Sequence, residues 1–274
     1  MNKRATVFLV IFFVLYFFAK YLANFYIDYE WFRMNEGLQV FWVLFMTKFN
    51  VQAIFGASFI GIFMLNFLLI RLLGGKGRFF VENFLDRIQI PAIGSSRHLL
   101  LIILTGGIIF IGFLMGGTAS AFWKEYLMYK NSVPFDGFPV DPIFGKNIGF
   151  YIFSLPFYQF LYGWMMSSLL IITIFSAVIH FFNGGIFIKQ GRIEVSGFCR
   201  AHISILLALI VILFGLSYQL SAYELLFSQV GKFYGAGYAA VNSKLLAFRV
   251  ASIISFIAGA LLLFNVFKRS FKLP

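Results

Sequence analysis

This sequence has few acidic side chains and a single cysteine. Its 274 residues hold only 10 Asp and Glu, and charged residues of both signs make up 12%, against about 25% in a soluble domain. With 61% of the residues hydrophobic, so little charge leaves no means of clothing a water-facing surface, which excludes an ordinary soluble fold. The single cysteine, Cys199, excludes an intrachain disulfide and a metal site built on cysteines, and reads as a small apolar filler at a helix end. No Walker loop, HExxH, CxxC, GxSxG or dinucleotide glycine fingerprint occurs. The commonest phosphate, zinc, serine-hydrolase and Rossmann chemistries therefore have no support, and neither a cofactor nor an enzymatic activity is expected.

What the sequence has in abundance is hydrocarbon. Phe alone accounts for 40 residues, aromatics for 21%, and the mean hydropathy is +0.90. A membrane-spanning helix needs about 20 mainly apolar residues. Six stretches meet that criterion: Ala5 to Tyr26, Val51 to Leu73, Leu99 to Ala119, Phe157 to Phe182, Ile203 to Leu220 and Leu246 to Phe267. The expected fold is all-α, a polytopic membrane helical bundle of about six transmembrane helices, with residues 1–274 forming a single transmembrane domain. The opening Met1-Asn2-Lys3-Arg4 suggests a signal peptide, but Tyr21-Leu22-Ala23 is a poor cleavage site, so the first helix is read as uncleaved. Phe80, Phe84 and Ile88 recur at helical spacing opposite Glu82, Asp86 and Arg87, and Ala121 to Lys130 is similarly patterned. Both read as short amphipathic helices in the interface.

Basic residues set the direction. With the N-terminus inside, 13 of the 22 Lys and Arg fall in inner segments and 8 in outer ones, Lys20 lying within the first span. The reading is a multi-pass protein of a bacterial cell membrane with both termini cytoplasmic. A net charge of +12 would suit nucleic acid, but the basic residues stand singly between apolar runs and form no basic face, so no nucleic-acid partner is expected. The expected partners are the lipid bilayer and a membrane protein or a second copy of the chain.

Polar residues inside spans are costly and therefore informative. Lys20 has a stem long enough to snorkel to the headgroups, and Asn66 suits interhelical hydrogen bonding. His98, His180 and His202 all fall at helix ends on the inner side, where they would converge on a metal only if the third, fourth and fifth helices pack together; no ligand spacing links them, and the plainer reading is polar residues at the membrane edge. No metal site is assigned. Small residues four apart, Ala53, Ala57 and Gly61, then Gly112 and Gly116, then Ser204 and Ala208, allow close helix packing. No span holds a central Asp, Glu or Pro, which counts against a proton-coupled transporter with broken helices.

The most distinctive stretch runs from Phe138 to Tyr158. Asp141-Pro142 starts a turn, Gly145 and Gly149 permit tight backbone, and Pro156 is tolerated in the first turn of the next helix. A rigid extracytoplasmic hairpin or re-entrant cap is expected. This stretch resembles a segment of the uncharacterised protein family 0182 of bacterial membrane proteins. So do Tyr223-Glu224-Leu225-Leu226-Phe227-Ser228 with Phe233-Tyr234-Gly235-Ala236-Gly237-Tyr238, and Trp31-Phe32 with Val40-Phe41-Trp42. Asn147 departs from the acidic residue common at its position in the family. The resemblance implies relatives that continue into a further helix and a large extracytoplasmic domain, so a chain ending at Pro274 is expected to be the membrane-embedded N-terminal portion. The family has no established activity and supplies no catalytic residue.

Lys20, Asn66, Asp141 and Glu224 are the candidate functional residues. Two functions compete. The first is a non-catalytic membrane anchor or assembly component, which the missing reactive groups favour. The second is a transporter or channel component for an ion, lipid or small solute, which Lys20, Asn66 and the ordered cap favour. A membrane enzyme acting on lipid or envelope substrates is the least supported.

Overall fold

A computed structural model describes residues 3–73, 97–135, 137–183, 185–189, 192–227, 229–230 and 233–268. Six helices among them are long and apolar enough to cross a membrane: Ile11–Met34, Leu38–Leu73, Ile102–Ser120, Phe150–Phe182, Gly197–Phe227 and Ala240–Val266. The fold is all-α, as its composition requires. The helical elements are α1 (Lys3–Met34), α2 (Leu38–Leu73), α3 (Arg97–Ser120), α4 (Trp123–Lys130), α5 (Leu155–Phe182), α6 (Gly197–Glu224) and α7 (Leu245–Lys268). Two antiparallel hairpins complete it: β1 (Ile186–Lys189) with β2 (Arg192–Val195), and β3 (Gln229–Val230) with β4 (Phe233–Tyr234). The amphipathic segment Ala121 to Lys130 forms α4, whereas the one at Phe80 to Ile88 lies outside the described residues.

Most helices run past the boundaries that apolar runs suggest, because a helix does not stop where charge begins if its backbone can go on bonding to itself. The sequence treats residues 27–50 as an outer loop, yet they are almost wholly helical, broken only at Asn35–Gly37. There α1 ends in a Schellman arrangement, with Gly37 N–H donating to Phe32 O at 2.8 Å and Glu36 N–H to Arg33 O at 3.3 Å. Glu36 takes the left-handed position, φ 55°, which glycine usually fills. The fourth spanning helix begins at Phe150 and not at Phe157, entering through a π-helical turn over Phe150–Ser154 in which Leu155 N–H reaches Phe150 O. Pro156 follows in the first turn of α5. Its missing N–H interrupts the regular ladder, and the widened turn accommodates the break.

The chain divides into two compact units, Met1–Asn50 and Val51–Pro274. In the first, Phe41 is buried among the rings of Phe25, Tyr29, Phe32 and Phe45. In the second, Phe59, Phe63, Ile108, Met115, Ile172 and Leu206 form a core contributed by α2, α3, α5 and α6. A second cluster, with Val51, Phe55, Ala119, Phe157 and Phe160, continues it towards α4. The faces turned away from this core are as apolar as the core itself: Phe110 is 61% exposed, Phe113 63%, Ile174 61% and Ile254 60%. Such faces match hydrocarbon as their surroundings.

Close helix approach rests on glycine, as the small-residue spacing suggests, but along one different stripe. On α2 the contacting face is Gln52, Gly56 and Ile60, which meets Gly112 and Gly116 of α3; a Cβ on Gly56 would stand 3.0 Å from Gly112 O. Ala53, Ala57 and Gly61 lie exposed on another face, and a Cβ on Gly61 would meet nothing within 4 Å. Residues three and four apart share a face whichever stripe is chosen, so spacing alone does not select the partnered one. The pairing of α6 with α7 uses Ala208 against Gly259 and Gly215 against Phe256. The Ser252 hydroxyl fastens it by donating to Gly215 O at 2.9 Å.

Gly116→Val, whose Cβ would run into the Gln52 carbonyl, is expected to destabilise the detergent-solubilised protein by about 1–3 kcal/mol. Gly61→Val is expected to leave it unchanged. Thermal unfolding followed by circular dichroism distinguishes the two.

Candidate functional site

Two polar constructions stand out within the unit Val51–Pro274, at opposite ends of the antiparallel pair α5 and α6. The first lies where α5 hands over to α6. Each contributing helix has an apolar inward face, and in each a polar residue interrupts that face in step: Asn66 with Phe59, Phe63 and Ile70 on α2, Ser176 and His180 with Ile172 and Ile179 on α5, and His202 with Cys199 and Leu206 on α6. All four are buried, Ser176 at 1% exposed, His180 at 2%, Asn66 and His202 at 8%.

They form one hydrogen-bonded chain. The Ser176 hydroxyl lies 2.8 Å from Asn66 Oδ1 and 2.7 Å from the carbonyl of Ile172. Asn66 Nδ2 lies 3.1 Å from His202 Nε2, and His202 Nδ1 lies 3.0 Å from His180 Nε2. With the serine donating to the amide oxygen, the amide must donate to His202 Nε2. His202 then carries its proton on Nδ1 and donates to His180, whose own proton is left on Nδ1. Rotating the amide by half a turn reverses every donor along the chain, the serine then donating to Ile172 O. The chain thus has two self-consistent polarities. Phe198 closes it off, stacked on His202 with centroids 5.8 Å apart and edge-on to His180 at 5.6 Å.

The second construction is the cap that the Phe138–Tyr158 stretch suggests. Asp141 receives hydrogen bonds from Ile143 N–H and Phe144 N–H, each at 2.8 Å, and from the Tyr151 hydroxyl at 2.7 Å. Asn147 ties the other strand of the loop, accepting from Phe135 N–H at 3.0 Å and Gly149 N–H at 2.8 Å and donating to Phe135 O at 3.2 Å. Gly145 sits at φ +65°, a conformation that favours glycine. Partial burial pushes the Asp141 carboxyl up, but the Tyr151 hydroxyl and the backbone groups of Ile143, Phe144 and Lys146 outweigh it and hold the acid below its ordinary value. Tyr151 packs edge-on against Tyr223, Phe144 tilts against the same ring, and Gln159 Nε2 donates to Glu224 Oε1 at 2.6 Å, so the cap is bound to both α5 and α6.

The four candidate residues thus part company. Asn66 belongs to the histidine chain, Asp141 is the knot of the cap, and Glu224 braces α6 to α5. Lys20 lies exposed on α1, in the other unit. Of the three histidines, His180 and His202 come together, while the His98 side chain lies outside the described residues. Among the described residues no group of three or more His, Cys, Asp or Glu is arranged to hold a metal ion. Ser176 and Tyr151 escape the sequence reading. Ser176 leaves a signal, since it precedes His180 by four residues and so shares its helix face; Tyr151 leaves none.

The family model described as "Uncharacterised protein family (UPF0182)" matches residues 5–274. A UPF0182 protein of Geobacter sulfurreducens is 29% identical over 264 residues, which cover 93% of this chain and 28% of the relative. One from Nocardioides sp. is 31% identical over 258 residues, covering 92% and 25%, and one from Geobacter sp. strain M21 is 29% identical over 283 residues, covering 100% and 30%. The chain therefore spans between a quarter and a third of the length of these relatives. No solved structure matches it.

Asn66→Ala leaves the buried His202 Nε2 without its partner and is expected to cost about 1–3 kcal/mol in detergent. A double-mutant cycle of Asn66→Ala with His180→Ala is expected to give a coupling energy of about 0.5–3 kcal/mol, since both act through His202. For Asp141 the folded acid is the stronger one, so its stabilisation is complete above the ordinary aspartate value of 3.8 and is lost as pH falls through the lowered one. The stability difference between wild type and Asp141→Asn, measured by thermal unfolding across pH, is expected to be flat at neutral pH and to shrink only on the acid side of that value.

Proposed function

The chain belongs to the uncharacterised protein family UPF0182, and we propose that it is the family's membrane body. On this reading it is a non-catalytic bundle in a bacterial cell membrane, with both termini cytoplasmic, that anchors or assembles a larger envelope protein or complex. Its partners are the bilayer and a membrane protein or a second copy of the chain.

The observation that carries this reading is that the polar groups of the cap and of the α5–α6 brace bond to one another. Asp141 and Asn147 spend their hydrogen bonds within the cap, and Glu224 meets Gln159. Between that end and the histidine chain lies the apolar cluster of Phe59, Phe63, Ile108, Met115, Ile172 and Leu206. A path for ions needs polar groups lining a wetted route, and this cluster interposes a dry one. A rigid cap over a tightly packed bundle suits a platform that holds something beyond the membrane. The asymmetry of Lys and Arg along the sequence supports placing the cap on the extracytoplasmic side.

A second reading, a transporter or channel component, is favoured by one specific observation. The Ser176–Asn66–His202–His180 chain is buried, has two polarities, and contains two imidazoles in direct hydrogen-bond contact, groups able to pass a proton between them.

Reconstitution into liposomes separates the two. The membrane-body reading expects no flux of protons, ions or small solutes above that of empty vesicles, and discrete crosslinked adducts in native membranes. A proton flux that His202→Leu abolishes would overturn it in favour of the second.

A further inference from the structure

A groove of about 530 Å3 opens along α3, α4 and α5, within the usual range of about 300–1,000 Å3 for small-molecule sites. Its walls include Met115, Phe160 and Trp164, and its floor is opened by Gly163, where a Cβ would meet nothing within 4 Å. Met115 and these α5 residues belong to the segments long and apolar enough to cross a membrane. Glu125 and Gln159 line the same groove, and they differ from its walls in offering acceptors. Glu125 is half-buried, and among the described residues its carboxylate makes no ion pair. Gln159 commits its amide nitrogen to Glu224 and keeps its oxygen free to accept. One region of the groove is therefore mainly apolar, with the unpartnered Trp164 Nε1 on it, and the other is anionic at Glu125, with Gln159 and the hydroxyl residues Thr118 and Ser167 on the same lining.

We infer that this groove holds a phospholipid with a primary-amine headgroup, phosphatidylethanolamine, with an acyl chain against Met115, Phe160 and Trp164 and its ammonium at Glu125 and Gln159. The charge sign disfavours an anionic headgroup, which brings no cation to offset the Glu125 carboxylate. The paired acceptors favour an ammonium that donates hydrogen bonds over a quaternary amine that has none to give. An apolar wall at membrane depth beside a half-buried acid is what a lipid of this kind complements along its whole length. The inference rests on the membrane-body reading above, since only a chain in a bilayer meets such a ligand.

Native mass spectrometry of the full chain tests it, with protein released from micelles containing equal amounts of phosphatidylethanolamine, phosphatidylcholine and phosphatidylglycerol. Wild type is expected to retain the ethanolamine lipid over the other two by about 1.4-fold to fivefold, the range of a partly exposed charge pair. Glu125→Gln is expected to erase that preference without abolishing lipid retention. Gly163→Leu, which fills the groove without a clash, is expected to remove bound lipid of all three kinds while leaving the thermal midpoint in place. Equal retention of the three lipids by wild type, an ethanolamine preference that survives Glu125→Gln, or retention indifferent to Gly163→Leu would each overturn the inference. A copurified polypeptide displaced by Gly163→Leu would also overturn it, naming a protein as the occupant. None of these results touches the membrane-body reading, whose own failure would show as chain recovered detergent-free in the aqueous fraction.

Discussion

A polar group shut away from water is costly unless it finds a partner inside the protein, and that constraint shapes the long helices and the buried histidine chain. Applied to the backbone, it makes each long apolar run a helix, because only there does every N–H and C=O bond within its own segment. Applied to side chains, it makes Asn66, Ser176, His180 and His202 into one chain and not four isolated costs. At the other end the partly buried Asp141 and Asn147 accept hydrogen bonds from neighbouring N–H and O–H groups. The apolar cluster between the two ends needs no such pairing, and it is filled by rings and branched side chains.

This division explains why the same bundle supports readings as different as a passive platform and a proton-handling device. The cap and the cluster beneath it are committed structures: changing one donor strands an acceptor. The histidine chain is not committed in the same way, since reversing one amide reverses the donors along it. Rigidity at the cap and latitude at the opposite end coexist because they are separated along α5 and α6 by packed hydrocarbon.

The helices themselves were legible from the sequence, because apolar length is a property of the chain alone. Their ends were less so. Residues 27–50 hold enough charge to look like a loop, but Glu30 and Arg33 pair along α1 at 2.6 Å and leave the helix undisturbed. The π-helical entry to α5 depends on how Pro156 is accommodated, which spacing does not report. Asn66 announced itself as a lone amide in an apolar span, and Asp141 as the start of a turn. Their partners were hidden by distance: Asn66 and His202 stand 136 residues apart, and Gln159 and Glu224 stand 65 apart. Local patterns say that a buried polar group needs a partner without saying which segment supplies it. The choice of Gly56 over the neighbouring Ala53, Ala57 and Gly61 stripe was hidden for the same reason.

The account stands or falls on the chain crossing a bilayer with its two polar ends on opposite sides. Impermeant thiol labelling of intact cells, in a Cys199→Ala background, reads this directly through single cysteines at Val140 in the cap and at Glu194 in the hairpin before α6, both exposed. The account predicts that Val140→Cys reacts from outside and that Glu194→Cys reacts only after the membrane is permeabilised. Reaction of both from outside, or of Glu194→Cys alone, would contradict it.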